Sequence, residues 1–138
     1  MSRQLRDYYR NKEVRNAQTK ARRATPAGRA AVLLASARKR AKSKGIPFDL
    51  DKEWLTERLE GECEISGVAF DFHAGPRNAK TPSLDRIDSS QGYTKNNCRV
   101  ILWALNAAFG TWGERAFREI LAAERNTPIN PSYLFMAA

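Results

Sequence analysis

Two residues with hard oxygen donors, Asp85 and Asn106, lie 21 positions apart (106 − 85) in the stretch SLDRIDSSQGYTKNNCRVILWALNAA. Asp85 sits in a short apolar run at 83–87. A polar turn follows at 88–97, a second apolar run at 98–102, and Asn106 falls within a helical pattern. A carboxylate and an amide oxygen suit Mg²⁺ or Mn²⁺ better than zinc, because small hard cations prefer oxygen. Two protein ligands leave most of an octahedral shell to water and substrate phosphate, the usual economy of a magnesium site that works on phosphoryl groups. Beside the aspartate stands Arg86. A guanidinium keeps its proton in proteins, so Arg86 cannot act as a base. It can clamp a phosphate and offset transition-state charge, or it can order the loop through an ion pair with Asp88 or Asp85.

A proton acceptor must then come from elsewhere. His73 is the only histidine, and an imidazole titrates near neutral pH. It lies in the loop at 73–82, before the first strand. Asp88 is a second candidate, as a base or as an outer partner of the metal. Tyr93 is a third, although a free phenol is a poor base. Metal-bound water that loses its proton to solvent or to substrate phosphate is the remaining route.

The elements that must position these residues are legible from local signals. Residues 3–23 contain no Gly or Pro and are rich in Arg, Lys, Ala and Gln, which predicts a helix. Thr25-Pro26 predicts the N-cap and first position of a second helix, with Val32, Leu33 and Leu34 as its apolar patch and Gly45 as its stop. After an extended connector at 46–50, Asp51 caps a helix through Glu60, with Trp54, Leu55 and Leu59 inward and Gly61 ending it. Residues 63–72 predict a tight hairpin turning at Ser66-Gly67. Strands are expected at 83–87 and 98–102, and helices at 102–109 and 114–125. The last helix carries Phe117, Ile120 and Leu121 on one face. Trp103 and Trp112 flank the Asn106 helix and read as core aromatics. Gly92 and Asn96-Asn97 read as turn chemistry. The tail at 127–138 is expected to be irregular.

The chain has 138 residues, which suits one modest core, and a net charge of +9. The charge is uneven. Residues 1–45 hold 14 Lys/Arg against 2 acids, a balance of +12, whereas the rest of the chain sums to −3. An anionic partner is therefore expected, nucleic acid first. The same charge would serve an RNA-binding or ribosome-associated protein. Arg22, Arg23, Arg38, Lys39, Arg40, Lys42 and Lys44 in the basic segment are candidate phosphate contacts. Lys95 and Arg99 beside the Asp85 strand are two more, and Arg77 and Lys80 have the same reading. No apolar run approaches the length of a membrane span, and the N-terminus lacks the pattern of a signal peptide, so a cytoplasmic protein is expected. Cys63 and Cys98 read as free buried thiols, and two Cys with one His fall short of a four-ligand zinc site.

Three segments together carry a family resemblance: "PSLDRID" with "GYT", "CRVILWALNAAFG", and "GECEISGVAF". They resemble the HNH, or His-Me finger, endonucleases, most of all the phage endonuclease VII branch, over residues 61–110. The resemblance implies an α+β fold. A ββα-metal core at 46–126 would follow a basic helical arm at 1–45 and include a C-terminal helix. It implies Asp85 and Asn106 as ligands of Mg²⁺ or Mn²⁺, DNA as substrate, and a phage-infected or prophage-bearing bacterial cytoplasm as the setting. Branched or nicked DNA is the substrate by analogy with endonuclease VII. Cutting both strands often requires a dimer, which makes a homodimer a candidate partner state. The chain departs from the family twice. Arg86 stands where the family has its general-base His, which leaves a catalytically inactive DNA-binding accessory protein as the alternative. Ser66, Leu102 and Leu105 stand where zinc-bearing members have Cys, so no structural zinc is expected and an apolar cluster should fill that corner.

Overall fold

The computed structural model describes residues 1–128. The part of the expected tail at 129–138 lies outside them. Among the described residues the protein is mixed α+β, with five helices and one two-stranded antiparallel sheet. None of these helices is long and apolar enough to cross a membrane.

Local signals place most boundaries. Helix α1 spans Arg3–Arg23 and starts at Ser2, whose hydroxyl accepts the Leu5 N–H. Helix α2 spans Pro26–Lys44. Its N-cap Thr25 accepts the Gly28 N–H at 3.1 Å, and Gly45 closes it at φ 63°, a conformation that suits glycine. Helix α3 spans Lys52–Glu60, with Asp51 accepting the Trp54 N–H at 2.8 Å. Strands β1 (Pro82–Arg86) and β2 (Cys98–Leu102) pair so that Asp85 faces Arg99 and Arg86 faces Cys98. Helix α4 (Trp103–Phe109) follows β2 without a break, and α5 spans Gly113–Arg125.

Two apolar clusters sit on opposite faces of the sheet. The first joins Ala30, Ala37 and Ala41 of α2 to Leu55 and Leu59 of α3 and to Leu84, Cys98 and Val100 of the strands. Alanines let α2 lie close on α3, so the buried stripe of α2 is Ala30, Ala37 and Ala41, with Leu33 and Leu34 partly buried beside it. The basic segment therefore divides. Helix α1 buries no residue, whereas α2 is part of the core. The turn between them is tight: a Cβ on Gly28 would stand 1.8 Å from the Arg22 carbonyl oxygen, which only glycine avoids. The second cluster joins Cys63, Ile101, Leu102 and Phe109, with Leu105, Ile65 and Phe117 packed on it. Cys63, Leu102 and Leu105 thus share the expected apolar corner.

Three expectations are corrected. Residues 63–72 form a turn with a single bridge, Glu62 to Ala69, in place of a full hairpin. The reason is competition: the Glu64 backbone N–H donates to Val100 O at 3.1 Å, docking this knuckle on the edge of β2. Trp112 is no core residue; it is 83% exposed, in the turn that reverses the chain between Gly110 (φ 46°) and Gly113 (φ 83°). Ile120 and Leu121 also stay exposed, and of the expected face Phe117 meets Phe109, with ring centroids 5.4 Å apart. Helix α4 has 7 residues and α5 has 13, so α4 covers only the first turns of α5.

Candidate metal and phosphate site

Side chains alternate between the faces of a strand. Ser83, Asp85, Arg99 and Ile101 therefore share the face towards α4 and α5, while Leu84, Arg86, Cys98 and Val100 share the face towards α2 and α3. Asn106 reaches the first face from α4. Its amide nitrogen donates to Ser83 Oγ at 2.7 Å and to the Leu84 carbonyl at 3.3 Å. These bonds stitch the helix to β1 one residue from Asp85 and commit the NH₂ group. The Asn106 Oδ1 accepts no hydrogen bond among the described residues and is left as a hard donor.

Asp85 is already partnered. Its Oδ2 accepts the Arg99 Nε–H at 2.8 Å, and the Arg99 Nη1 donates to Glu114 Oε2 at 2.7 Å. The Asp85 and Arg99 side chains are only 12% and 15% exposed, so this pair is substantially shielded from water. Burial opposes the charge on Arg99, but its hydrogen bonds to Asp85 and Glu114 outweigh that and raise its pKa. The hydrogen bonds from Arg118, and next from Arg99, hold Glu114 below the usual glutamate range. Asp85 Oδ1 accepts no hydrogen bond among the described residues. Two unused hard oxygens, Asp85 Oδ1 and Asn106 Oδ1, therefore belong to neighbouring elements. Carboxylate and amide oxygens are the donor type that small hard cations such as Mg²⁺ and Mn²⁺ prefer. No group of three or more His, Cys, Asp or Glu assembles into a metal cluster among the described residues.

The other sequence candidates lie elsewhere. Arg86 faces away from Asp85 and stacks on the Tyr93 ring, 4.8 Å from its centroid, while its Nη1 donates to Gln91 O at 2.8 Å. It makes no ion pair with Asp88 or Asp85. Tyr93 is buried, and its hydroxyl accepts the Arg40 Nε–H at 2.9 Å. Asp88 is bound into the loop: its carboxylate accepts from the Ser90 N–H, the Ser90 hydroxyl and the Gln91 amide, and the Ser90 bonds lead in lowering its pKa. Buried Asn97 fastens the same loop. Its side chain donates to the carbonyls of Asp88 and Gly92 and accepts the Asp88 N–H. His73 lines a cleft beside α1, and no hydrogen bond or ion pair joins it to Asp85 or Asn106.

Among the candidate phosphate contacts, Lys95 pairs with Asp51 and Arg99 with Asp85 and Glu114. Arg38 lies 5.3 Å from the Phe48 ring centroid. Arg22, Arg23, Arg38, Lys39, Arg40, Lys42 and Lys44 are exposed and make no ion pair among the described residues. The roles of Glu114 and Ser83 escaped the sequence reading. The strand alternation that puts Ser83 on the Asp85 face was a usable signal for one of them. Glu114 has no such signal, because it arrives from a separate helix. Comparison with protein-family models, with curated proteins and with solved structures gave no match to this chain.

Proposed function

We propose that the protein is a divalent-metal-dependent DNA endonuclease built on an HNH-like ββα-metal core. The observation that carries this reading is the clamp of Asn106 on β1. It commits the amide nitrogen and leaves the amide oxygen beside a strand whose next residue is Asp85. Asp85 and Asn106 would hold Mg²⁺ or Mn²⁺, which when bound supplies Lewis-acid charge at a phosphoryl oxygen. The exposed cations of α1 and α2 hold the backbone of the nucleic acid. The phage setting and the cytoplasmic location belong to the same proposal.

One observation favours a second reading, a DNA-binding protein on an inactive core. Arg99 already neutralises Asp85, and Arg86 is turned towards Tyr93. A supercoiled-plasmid assay in Mg²⁺ or Mn²⁺ separates the two. The nuclease reading expects nicking by the wild type and a loss of about a hundredfold or more in Asp85→Ala and in Asn106→Ala. Equal cutting by all three proteins overturns it. Binding without cutting by the wild type selects the inactive core.

A further inference from the structure

Helix α1 and the loop after Phe72 enclose a cleft of about 850 Å³, away from Asp85 and Asn106. Its cationic wall is Lys20, Arg23 and Arg29, and no Asp or Glu lines it. Its apolar wall is Phe72 and Pro76, with small alanines of α1 opposite. The positioning is specific. Arg29 Nε donates to Arg23 O at 3.2 Å, and its Nη2 donates to Phe72 O at 3.4 Å, so the guanidinium spans the junction of helix and loop. Asp71 folds the loop by accepting the N–H groups of His73 and Ala74 on its Oδ1, at 2.8 and 3.0 Å.

Lys20, Arg23 and Arg29 make no ion pair among the described residues, although the chain satisfies Arg99, Arg115 and Arg118 with carboxylates. Burial, and next the neighbouring Arg23 charge, lower the pKa of Arg29, as expected for a cation placed beside another cation without an anion. A concave site lined by three cations and an aromatic ring, with a volume in the range of small-molecule pockets, suits a flat ring carrying an anion. Arginine pairs recognise phosphate oxygens through directed, charge-assisted hydrogen bonds.

We infer that this cleft binds one nucleotide, its phosphate held by Arg23, Arg29 and Lys20 and its base laid against Phe72 and Pro76. The shared chemistry is a phosphate on an aromatic base. The source is either a free mononucleotide or one unit of a single strand. The inference shares Arg23 with the phosphate-binding part of the reading above and uses neither Asp85 nor Asn106, so it stands whether or not the protein cuts DNA.

Binding of deoxyadenosine monophosphate, inorganic phosphate and a short fluorescent oligo-dT to the full chain, read by calorimetry and anisotropy, tests it. Saturable binding of the mononucleotide is expected, with Arg29→Gln and Arg23→Gln each weakening it about tenfold or more and Arg115→Gln, which removes an exposed cation of α5 outside the cleft, leaving it unchanged. Phe72→Ala should weaken the nucleotide and spare inorganic phosphate. Tighter binding of oligo-dT than of the mononucleotide, with the same loss in the arginine variants, identifies a strand as the source; the reverse identifies a free nucleotide. Arg23 is exposed, so Arg23→Gln reports even if Arg29→Gln unfolds. No saturable mononucleotide binding, or wild-type affinity in Arg23→Gln, overturns the inference.

Discussion

Asp85 and Arg99 face each other across the two strands, Oδ2 to Nε at 2.8 Å, and the same arginine reaches across to Glu114. The candidate ligand thus carries an internal counter-ion, supplied by strand register and fixed by a third residue from α5. An ion bound at Asp85 must share or displace that counter-ion.

Replacing Arg99 with Gln should therefore act twice. Stability should fall by about 3 kcal/mol in urea denaturation, because one half of a largely shielded pair is left alone. Mn²⁺ affinity, followed by the paramagnetic resonance of free Mn²⁺, should rise, because Asp85 loses its competitor. Unchanged or weaker Mn²⁺ binding in this variant would show that Asp85 is no ligand.

Asn97 closes the loop between the strands with three hydrogen bonds of 2.9 to 3.0 Å. Asn97→Ala should cost about 3 kcal/mol, because it strands the polar groups of Asp88 and Gly92. Amide hydrogen exchange should quicken at residues 88–97 before it quickens in α2. A loss spread evenly over the protein would contradict this role.

Glu114 is held below the usual glutamate value of 4.5 by Arg118 and Arg99. An acid with a depressed pKa in the folded state binds fewer protons there than in the unfolded chain. Its contribution is present above about pH 4.5 and is lost as pH falls through its folded value. Glu114→Gln should flatten the acid limb of a stability-against-pH curve and leave its shape near neutrality unchanged. An identical acid limb in both proteins would remove Glu114 from the account.

The two buried thiols should differ in reactivity. Burial pushes the Cys98 thiol up to about 12, chiefly by desolvation. Burial also opposes ionisation at Cys63, but hydrogen bonds from Ser66 and neighbouring backbone N–H groups outweigh it and lower its pKa. Iodoacetamide at pH 8, mapped by mass spectrometry on native protein, should label Cys63 before Cys98, because the thiolate is the nucleophile. For Cys98, whose pKa is raised on folding, the stabilisation is full below pH 9 and is lost as pH rises from 9 to about 12. Cys98→Ala should remove that part of the alkaline loss.

The amino-acid sequence by itself determined where α2 and α3 begin and end. Thr25-Pro26, Gly45, Asp51 and Gly61 act on backbone groups within four positions, so their signals are local. The apolar run at 98–102 likewise marked a strand, and it is one. Tertiary structure decided who meets whom. Register set Arg99 opposite Asp85, and the pleat carried Arg86 from Asp85 to Tyr93. The short α4 left Ile120 exposed, and the Gly28 turn brought α1 over His73 to form a cleft. Each of these depends on residues many positions apart, whose pairing follows from packing and strand registry and leaves no periodic mark in the chain.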